Sequence, residues 1–223
     1  MDLTEAIKLD DNDKIYSVLG IEPSGKFYRT CPLVECYTQG RVDLVKLLLE
    51  KGADPEDCAD YPEDYGITVL MLAAEKCDMD MVKMMVDNGA DIMSYTIDDR
   101  GLSNGTAITY AIEHGHEDIF RFLMSRGGTS NEYDLERACR LGRYNIVKYI
   151  LDQELIDINT NSMLRLSFLS YAALEGHLEI VKLLIDSGAD VNVRSFSGTA
   201  LTIAIREGHL DIAVFLSNNG ASA

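Results

Sequence analysis

The chain has 223 residues, of which 47% are hydrophobic and 26% are charged, and its formal net charge is −17. This composition is typical of a globular protein, and no stretch approaches the roughly 18 uninterrupted apolar residues that a membrane helix needs. Binding to a nucleic-acid backbone requires a basic face, so the acidic balance argues against nucleic acid as a partner.

The first segment, residues 1–29, is predicted to cover one end of the fold. It begins Met1-Asp2-Leu3-Thr4-Glu5, which is acidic and lacks the apolar region of a secretory signal. The residues from Glu5 to Lys14 are heavily charged, which predicts a polar surface for this segment. A polar outer face of this kind is what the end of a repeat array requires.

A short pattern of apolar and small residues then recurs along the rest of the chain. The segment 199–209, TALTIAIREGH, returns at 106–116 as TAITYAIEHGH, and weaker copies lie around Leu33, Leu70, Leu135 and Leu169. The copies are about 33 residues apart, a period typical of stacked helical repeats. In each copy one position is glycine or cysteine: Gly40, Cys77, Gly115, Gly142, Gly176 and Gly208.

Each copy of this pattern predicts a first helix, and an apolar second helix follows it. The second helix is too apolar to be stable without packing on neighbouring repeats. Three of these helices end in Gly-Ala-Asp, at residues 52–54, 89–91 and 188–190. Glycine can adopt the left-handed conformation that ends a helix. The fourth copy has no such glycine, so Asp152-Gln153-Glu154 predicts an irregular helix end. In the last repeat Ser217 replaces an apolar residue, which predicts a solvated cap.

These repeated residues resemble those of the ankyrin-repeat family, over nearly the whole chain. The resemblance implies an all-α solenoid of stacked helix-turn-helix units with finger-like hairpin loops. We expect one elongated, monomeric domain over residues 1–223, with a capping helix pair and connector at 1–29. The expected repeats are 30–65, 66–103, 104–130, 131–165, 166–196 and 197–223, the last of which is the C-terminal cap.

The chain departs from the family at the histidine of the Thr-Pro-Leu-His turn. We expect the hydroxyl groups of two threonines at this place, Thr109 and Thr202, to replace part of its hydrogen bonding. The histidine's place is taken by Val34, Met71, Thr109, Glu136, Ser170 and Thr202.

The connector between the first two repeats, residues 54–65, contains six acidic residues and no basic one. Residues 1–111 carry a net charge of −12 and residues 112–223 carry −5. Two interpretations stay open: solvated charge that keeps the chain soluble, or an acidic, tyrosine-bearing contact for a basic segment of a partner. In the second interpretation the acidic contacts are Asp57, Asp60, Glu63 and Asp64.

The resemblance also implies a concave recognition surface, formed by the finger tips and the exposed side of each first helix. The implied function is a protein–protein interaction scaffold, not an enzyme. The alternative is the targeting module of a larger enzyme or of a transferred effector, whose catalytic residues would lie outside this chain. The further residues expected to contact the partner are Tyr65, Tyr95, Glu113, His114, Arg140, Leu141, Leu174, Phe196 and Arg206.

No pattern in the sequence indicates catalysis, a metal or a cofactor. The five cysteines are odd in number and form no CxxC, which favours a reducing compartment, expected to be the cytoplasm, with the nucleus or a host cell left open. His116, His177 and His209 each follow the repeat glycine and are interpreted as structural capping residues. Asn192, in Ala-Asp-Val-Asn, resembles the residue that asparaginyl hydroxylases modify in ankyrin proteins, so it is a predicted modification site.

Overall fold

The computed structural model describes residues 2–9, 11–22, 31–60, 65–97, 103–159, 166–195 and 197–222. The chain divides into two compact units, Met1–Gly128 (unit 1) and Thr129–Ala223 (unit 2). Each unit is built from pairs of antiparallel helices. The arrangement of both units as a single domain stays a prediction.

The described residues of unit 1 form four helix pairs and two short hairpins. The predicted N-terminal pair is present as α1 and α2. The elements are α1 Leu3–Lys8, α2 Asn12–Leu19, α3 Pro32–Thr38, α4 Val42–Glu50, β1 Cys58–Ala59, β2 Ile67–Thr68, α5 Val69–Glu75, α6 Met79–Asp87, β3 Tyr95–Ile97, β4 Ser103–Thr106, α7 Ala107–His114 and α8 Glu117–Ser125.

Unit 2 contains three helix pairs in its described residues. Together with unit 1 they confirm the predicted all-α fold class, with one pair inside each expected repeat. The elements are α9 Glu132–Arg140, α10 Tyr144–Asp152, α11 Phe168–Leu174, α12 Leu178–Asp186, α13 Ala200–Glu207 and α14 Leu210–Asn218. Within the described part of the chain, every helix is too short to span a bilayer.

Side-chain hydroxyl groups begin most of the first helices. Thr68, Thr106, Ser167 and Thr199 each accept a hydrogen bond from the backbone N–H three residues later, at 3.1–3.4 Å. Such bonds satisfy one of the N–H groups that a helix start leaves without a partner.

Hydroxyl pairs take the place of the family histidine in three repeats, and two of these pairs contain the predicted Thr109 and Thr202. The oxygen atoms lie 3.3 Å apart in Thr106–Thr109, 3.0 Å in Ser167–Ser170 and 3.4 Å in Thr199–Thr202. The expectation for Glu136 is wrong, because α9 begins earlier than the pattern suggests. Asn131 and Asp134 form a reciprocal capping box there, which satisfies two donors at once.

Small residues line the contacts between neighbouring first helices. In unit 1, α5 packs on α7, and Ala73 and Ala111 are fully buried. In unit 2, α11 packs on both α9 and α13, and Ala138, Ala172 and Ala204 are fully buried. A methyl side chain lets two helix backbones approach closely, so these positions set the packing of each unit.

The helix ends in unit 2 follow the sequence expectation in part. Glu154 has a left-handed φ of 54°, which is the predicted irregular end of α10. Ser217 is exposed, as predicted for a solvated cap. However, Ile205, Leu210 and Val214 are also exposed, by 54%, 68% and 61%. The last helix pair therefore has an outer surface that is partly apolar.

Candidate partner-binding surface

Unit 1 has two hairpin fingers: finger 1, described at residues 54–60 and 65–68, and finger 2, described at residues 91–97 and 103–106. In finger 1, Cys58 and Ala59 of β1 stand opposite Thr68 and Ile67 of β2. In finger 2, β3 and β4 pair with an irregularity between Thr96 and Ile97.

The two fingers are hydrogen-bonded to each other. The N–H of Tyr65 donates to the carbonyl of Ile97 at 2.9 Å, and the N–H of Ile97 donates to the carbonyl of Tyr65 at 3.0 Å. This reciprocal pair is the pattern of an antiparallel sheet. The fingers therefore form one connected surface instead of two separate loops.

Aspartates close the turns at the base of the fingers. Asp54 accepts a hydrogen bond from the N–H of Glu56 at 2.9 Å, and Asp91 accepts one from Met93 at 2.8 Å. The corresponding turns of unit 2 are closed in the same way. There Asp157 accepts from Asn159 at 2.9 Å, and Asp190 accepts from Asn192 at 2.8 Å. Aspartate is favoured in turns because its short side chain reaches the backbone two residues later.

At three of these turns, the residue two positions after the aspartate hydrogen-bonds to the following repeat. We call this arrangement a turn clasp. Glu56 accepts from the N–H of Asp91 at 2.8 Å and from the hydroxyl of Ser94. In unit 2, Asn159 accepts from the N–H of Asp190 at 2.8 Å and donates to the carbonyl of Gly188 at 3.1 Å. Sequence reasoning missed Glu56, although its place two residues after a turn aspartate matches that of Asn159 and Asn192.

Asn192, the predicted modification site, forms the last turn clasp. Its amide donates to the carbonyl of Gly220 at 3.2 Å, and its oxygen accepts from the N–H and hydroxyl of Ser222 at 2.8 and 2.9 Å. An enzyme could reach this side chain fully only after these bonds open. Its modification stays a prediction.

The predicted acidic contacts differ in what they bind. Asp57 is half-buried, and its charge contributes, after burial, to raising the pKa of the Cys31 thiol to about 12. Asp60 accepts a hydrogen bond from the N–H of Gly66 at 2.9 Å, so its carboxylate closes finger 1. Glu63 and Asp64 lie outside the described residues.

The tyrosines of the fingers lie near each other in the sheet. Tyr65 is half-buried, whereas Tyr95 is 58% exposed, as the sequence suggested. Ile97, which was not predicted, is 37% exposed, while Thr96 between them is buried. Because side chains alternate along a strand, Tyr95 and Ile97 lie on the same outward face of β3.

The other predicted contact residues lie at the ends of first helices. In unit 1, Glu113 is half-buried, and the ring of exposed His114 lies 3.1 Å from the carbonyl of Tyr110. In unit 2, Arg140 is exposed and Arg206 is paired with Glu207 at 2.9 Å.

The two predicted apolar contacts of unit 2 are unequal. Leu141 is 37% exposed, as expected for a residue that faces solvent. Leu174 is half-buried and offers less surface than expected, because it lies on the packed side of the last turn of α11. Phe196 lies outside the described residues.

The repeat histidines connect adjacent repeats. Their Nε2 atoms lie 2.9 Å from the carbonyl of Glu75 for His116, 2.9 Å from that of Arg140 for His177, and 3.1 Å from that of Leu174 for His209. The structure agrees with the interpretation as structural capping residues, although none of the three makes a side-chain bond to its own helix start. Each one binds the carbonyl of the last residue of the first helix in the preceding repeat.

Glycine is required where a histidine ring covers the turn before it. Gly142 has a φ of 72°, and a Cβ atom there would lie 2.7 Å from the ring of His177. Gly176 has the same relation to His209. A larger residue would meet both a strained backbone and the ring.

The thiols and carboxylates of the described residues form no group of three or more side chains that could hold a metal ion. Burial raises the pKa of Cys36 to about 12 and also raises the pKa of Cys139. A thiol with a raised pKa stays protonated and is a poor nucleophile. Cys58 is half-buried and Cys77 is exposed.

Comparison with known proteins agrees with this architecture. The family described as ankyrin repeats (3 copies) matches residues 3–96, 33–134, 94–162 and 135–223. The chain is similar to alpha-latrocrustotoxin-Lt1a of Latrodectus tredecimguttatus (29% identity over 73% of this chain), ankyrin repeat and SAM domain-containing protein 6 of Danio rerio (29% over 72%) and E3 ubiquitin-protein ligase XBAT32 of Arabidopsis thaliana (30% over 85%). The matched segments span 12%, 22% and 35% of those proteins. Ankyrin repeats generally mediate protein–protein interaction. The chain belongs to the ankyrin-repeat family.

Proposed function

We propose that this chain is a non-catalytic scaffold that binds another protein, and that the joined fingers of unit 1 contact a basic segment of that partner. The observation that carries the proposal is the reciprocal hydrogen bonding of Tyr65 and Ile97 at 2.9 and 3.0 Å. This pair connects the acidic finger to the finger with the exposed tyrosine.

A connected surface favours binding because little conformational freedom is lost when a partner docks. The loop of finger 1 is closed by Asp60, and its base is held by the turn clasp of Glu56. Ordering a flexible loop on association would reduce the affinity, and a preformed surface avoids that cost.

The charge of the fingers sets the chemistry of the partner. Residues 54–60 contain four acidic side chains and no basic one, and residues 1–128 carry a net charge of −13. Exposed ion pairs contribute only about 0.2–1 kcal/mol each. Several together mainly accelerate association with an oppositely charged segment, and this acceleration falls as salt is added.

The exposed apolar groups supply the contact area that charge does not provide. Tyr95 and Ile97 share the outward face of β3. Tyrosine is enriched among residues that dominate binding energy at interfaces. A basic segment that also carries apolar or aromatic side chains therefore fits this surface.

The test is selection of a random displayed peptide library on the immobilised full chain. Enriched peptides are expected to be rich in arginine and lysine, and their association rate should fall steeply as salt concentration rises. The same selection is repeated on an Asp57→Asn variant for comparison, and this variant should enrich the basic peptides less. Enrichment of acidic peptides, or of none, would contradict the proposal.

A second function, that of a targeting module in a larger enzyme or effector, is favoured by one observation. A similar segment occurs in an E3 ubiquitin-protein ligase, of whose length it spans 35%. The catalytic residues would then lie outside these 223 residues. Sequencing the transcript beyond the codon for Ala223 tests this function, and a stop codon there would contradict it.

A further inference from the structure

A cleft of about 300 Å³ lies between the bases of the two fingers of unit 1. Its walls include Glu56 and Cys58 of finger 1 and Asp91, Met93 and Tyr95 of finger 2. Small-molecule sites range over roughly 300–1,000 Å³, so this cleft is suited to one long side chain and not to a larger ligand.

The cleft lining includes two carboxylates that are held in place. Glu56 accepts bonds from the N–H of Asp91 at 2.8 Å and from the hydroxyl of Ser94, while Asp91 accepts from the N–H of Met93 at 2.8 Å. Each carboxylate oxygen has two lone pairs, so both groups keep the capacity to accept further bonds. Their fixed positions suit a planar donor that bonds to two acceptors at once.

The cleft lining also includes an apolar and an aromatic side chain. The Met93 side chain is half-buried, and the Tyr95 ring is 58% exposed at the rim. A polarizable thioether packs well against a flexible aliphatic stem, and a tyrosine face attracts a cation. The cleft therefore combines anionic acceptors with a surface that covers a hydrocarbon chain.

We propose that this cleft binds one arginine side chain of the partner's basic segment, an inference that rests on the function proposed above. The stem lies along Met93, and the guanidinium lies against Tyr95 and bonds to Glu56 and Asp91. Arginine fits better than lysine because its planar group stacks on aromatic rings and bonds carboxylates in a bidentate manner.

A second cleft in unit 1 has similar size, but its lining includes a cation. It measures about 340 Å³, shares Asp91 and Met93 with the first cleft, and is also lined by Val86, Ile92 and Arg126, among others. Arg126 is already paired with Asp87 at 2.9 Å. The Arg126 guanidinium would repel a cation of the partner. The charges therefore favour the cleft at Glu56 as the site for an arginine side chain.

The probes for the test are N-acetyl-arginine amide, N-acetyl-lysine amide and N-acetyl-citrulline amide, the last of which has the shape of arginine without its charge. Titration is followed by the methyl NMR signal of Met93 in protein labelled at methionine methyl groups. The fully buried Met71 provides an internal control. Arginine amide should shift Met93 saturably, lysine amide should bind more weakly, and citrulline amide should bind about tenfold more weakly, as expected on loss of a charge-assisted contact.

Alkylation of cysteines gives an independent readout. Cys58 lines the cleft, whereas the exposed Cys77 does not. Saturating arginine amide should slow the alkylation of Cys58 several-fold and leave that of Cys77 unchanged. Equal rates at Cys58 with and without the probe would overturn the proposal.

The key variant is Glu56→Gln, since the amide oxygen can still accept from Asp91 and the amide nitrogen can donate to Ser94. Its thermal unfolding should match the wild type, while its affinity for arginine amide should fall about tenfold. Tyr95→Ala, at an exposed position, should also weaken binding. Glu50→Gln, an exposed carboxylate at the end of α4 and outside both fingers, is the matched control and should bind as the wild type does.

The outcomes for this inference and for the proposed function are separable. If selected basic peptides bind the chain but neither Glu56→Gln nor Tyr95→Ala weakens them, the arginine cleft is wrong and the scaffold function stands. If arginine amide binds with these sensitivities while no basic peptide is selected, the cleft stands and the finger-binding function is wrong. Equal binding of arginine and citrulline amides would also reject the cleft.

Discussion

The two units share one kind of core and differ at their rims. In both, fully buried alanines separate neighbouring first helices, as at Ala111 in unit 1 and Ala172 in unit 2. Unit 1 carries the paired strands of fingers 1 and 2, whereas the described loop after α12 in unit 2 closes in a small bridge between Ser195 and Gly198. The core is fixed by stacking, while the loops are free to specialise.

Charge follows the same division. Unit 1 has 25 acidic and 12 basic residues, a net charge of −13, and unit 2 has 12 and 8, a net charge of −4. At the second position before the repeat glycine or cysteine, unit 1 has Glu75 and Glu113, whereas unit 2 has Arg140 and Arg206. Partner selection is therefore expected to depend on unit 1 for basic segments, with unit 2 presenting a different chemistry.

The equivalence of the cores is tested by enlarging the buried alanines. Ala111→Leu and Ala172→Leu should each destabilise the protein by about 1–3 kcal/mol, because added methyl groups force closely packed helices apart. Urea unfolding measures the loss. Lys83→Leu, at an exposed position of α6, is the control. An unchanged midpoint for either alanine variant would show that the cores are not equivalent.

A matched pair of glycines separates backbone strain from contact with histidine. Gly40 in unit 1 and Gly142 in unit 2 both have a φ of 72°, but a Cβ atom would meet nothing within 4 Å at Gly40 and the His177 ring at 2.7 Å at Gly142. Gly40→Ala should cost about 1 kcal/mol from left-handed strain. Gly142→Ala should lower the free energy of unfolding by measurably more in a urea unfolding assay. Equal losses for the two variants would contradict the predicted clash with the His177 ring.

The histidine bridges predict a smaller effect. His177→Ala removes the bond of Nε2 to the Arg140 carbonyl, at 2.9 Å, and should cost about 1 kcal/mol. His114→Ala, at an exposed position bonded only within its own helix turn, should cost less. Thermal unfolding of the two variants measures both losses of stability. A larger loss for His114→Ala than for His177→Ala would contradict the stabilising role of the bond between repeats.

The sequence could predict what every repeat has in common. Helix pairs, buried alanines and turn glycines recur about every 33 residues, so each occurrence supports the others. Contacts that occur once leave no such period. The Tyr65–Ile97 pair and the bond of Glu56 to Ser94 join residues that are more than 30 positions apart, and only the folded chain brings them together.

The start of α9 illustrates the same limit. The repeat register places Glu136 where three other copies have a hydroxyl residue, but a local capping box at Asn131 and Asp134 begins the helix earlier. The capping box satisfies two backbone N–H groups at once, so the helix begins at this box and not at the position that the repeat spacing suggests. A short-range hydrogen-bond pattern can therefore displace an element boundary without changing the repeat itself.

The central claim, that basic segments bind the fingers of unit 1, is tested most directly by comparing two variants against one selected basic peptide. The first combines Glu56→Gln, Asp57→Asn and Asp91→Asn in unit 1, and the second combines Leu141→Ala and Leu174→Ala in unit 2. Stopped-flow association should be slowed and made less sensitive to salt only by the first. Unchanged association in the first variant, with binding lost in the second, would contradict the claim and assign the partner to unit 2.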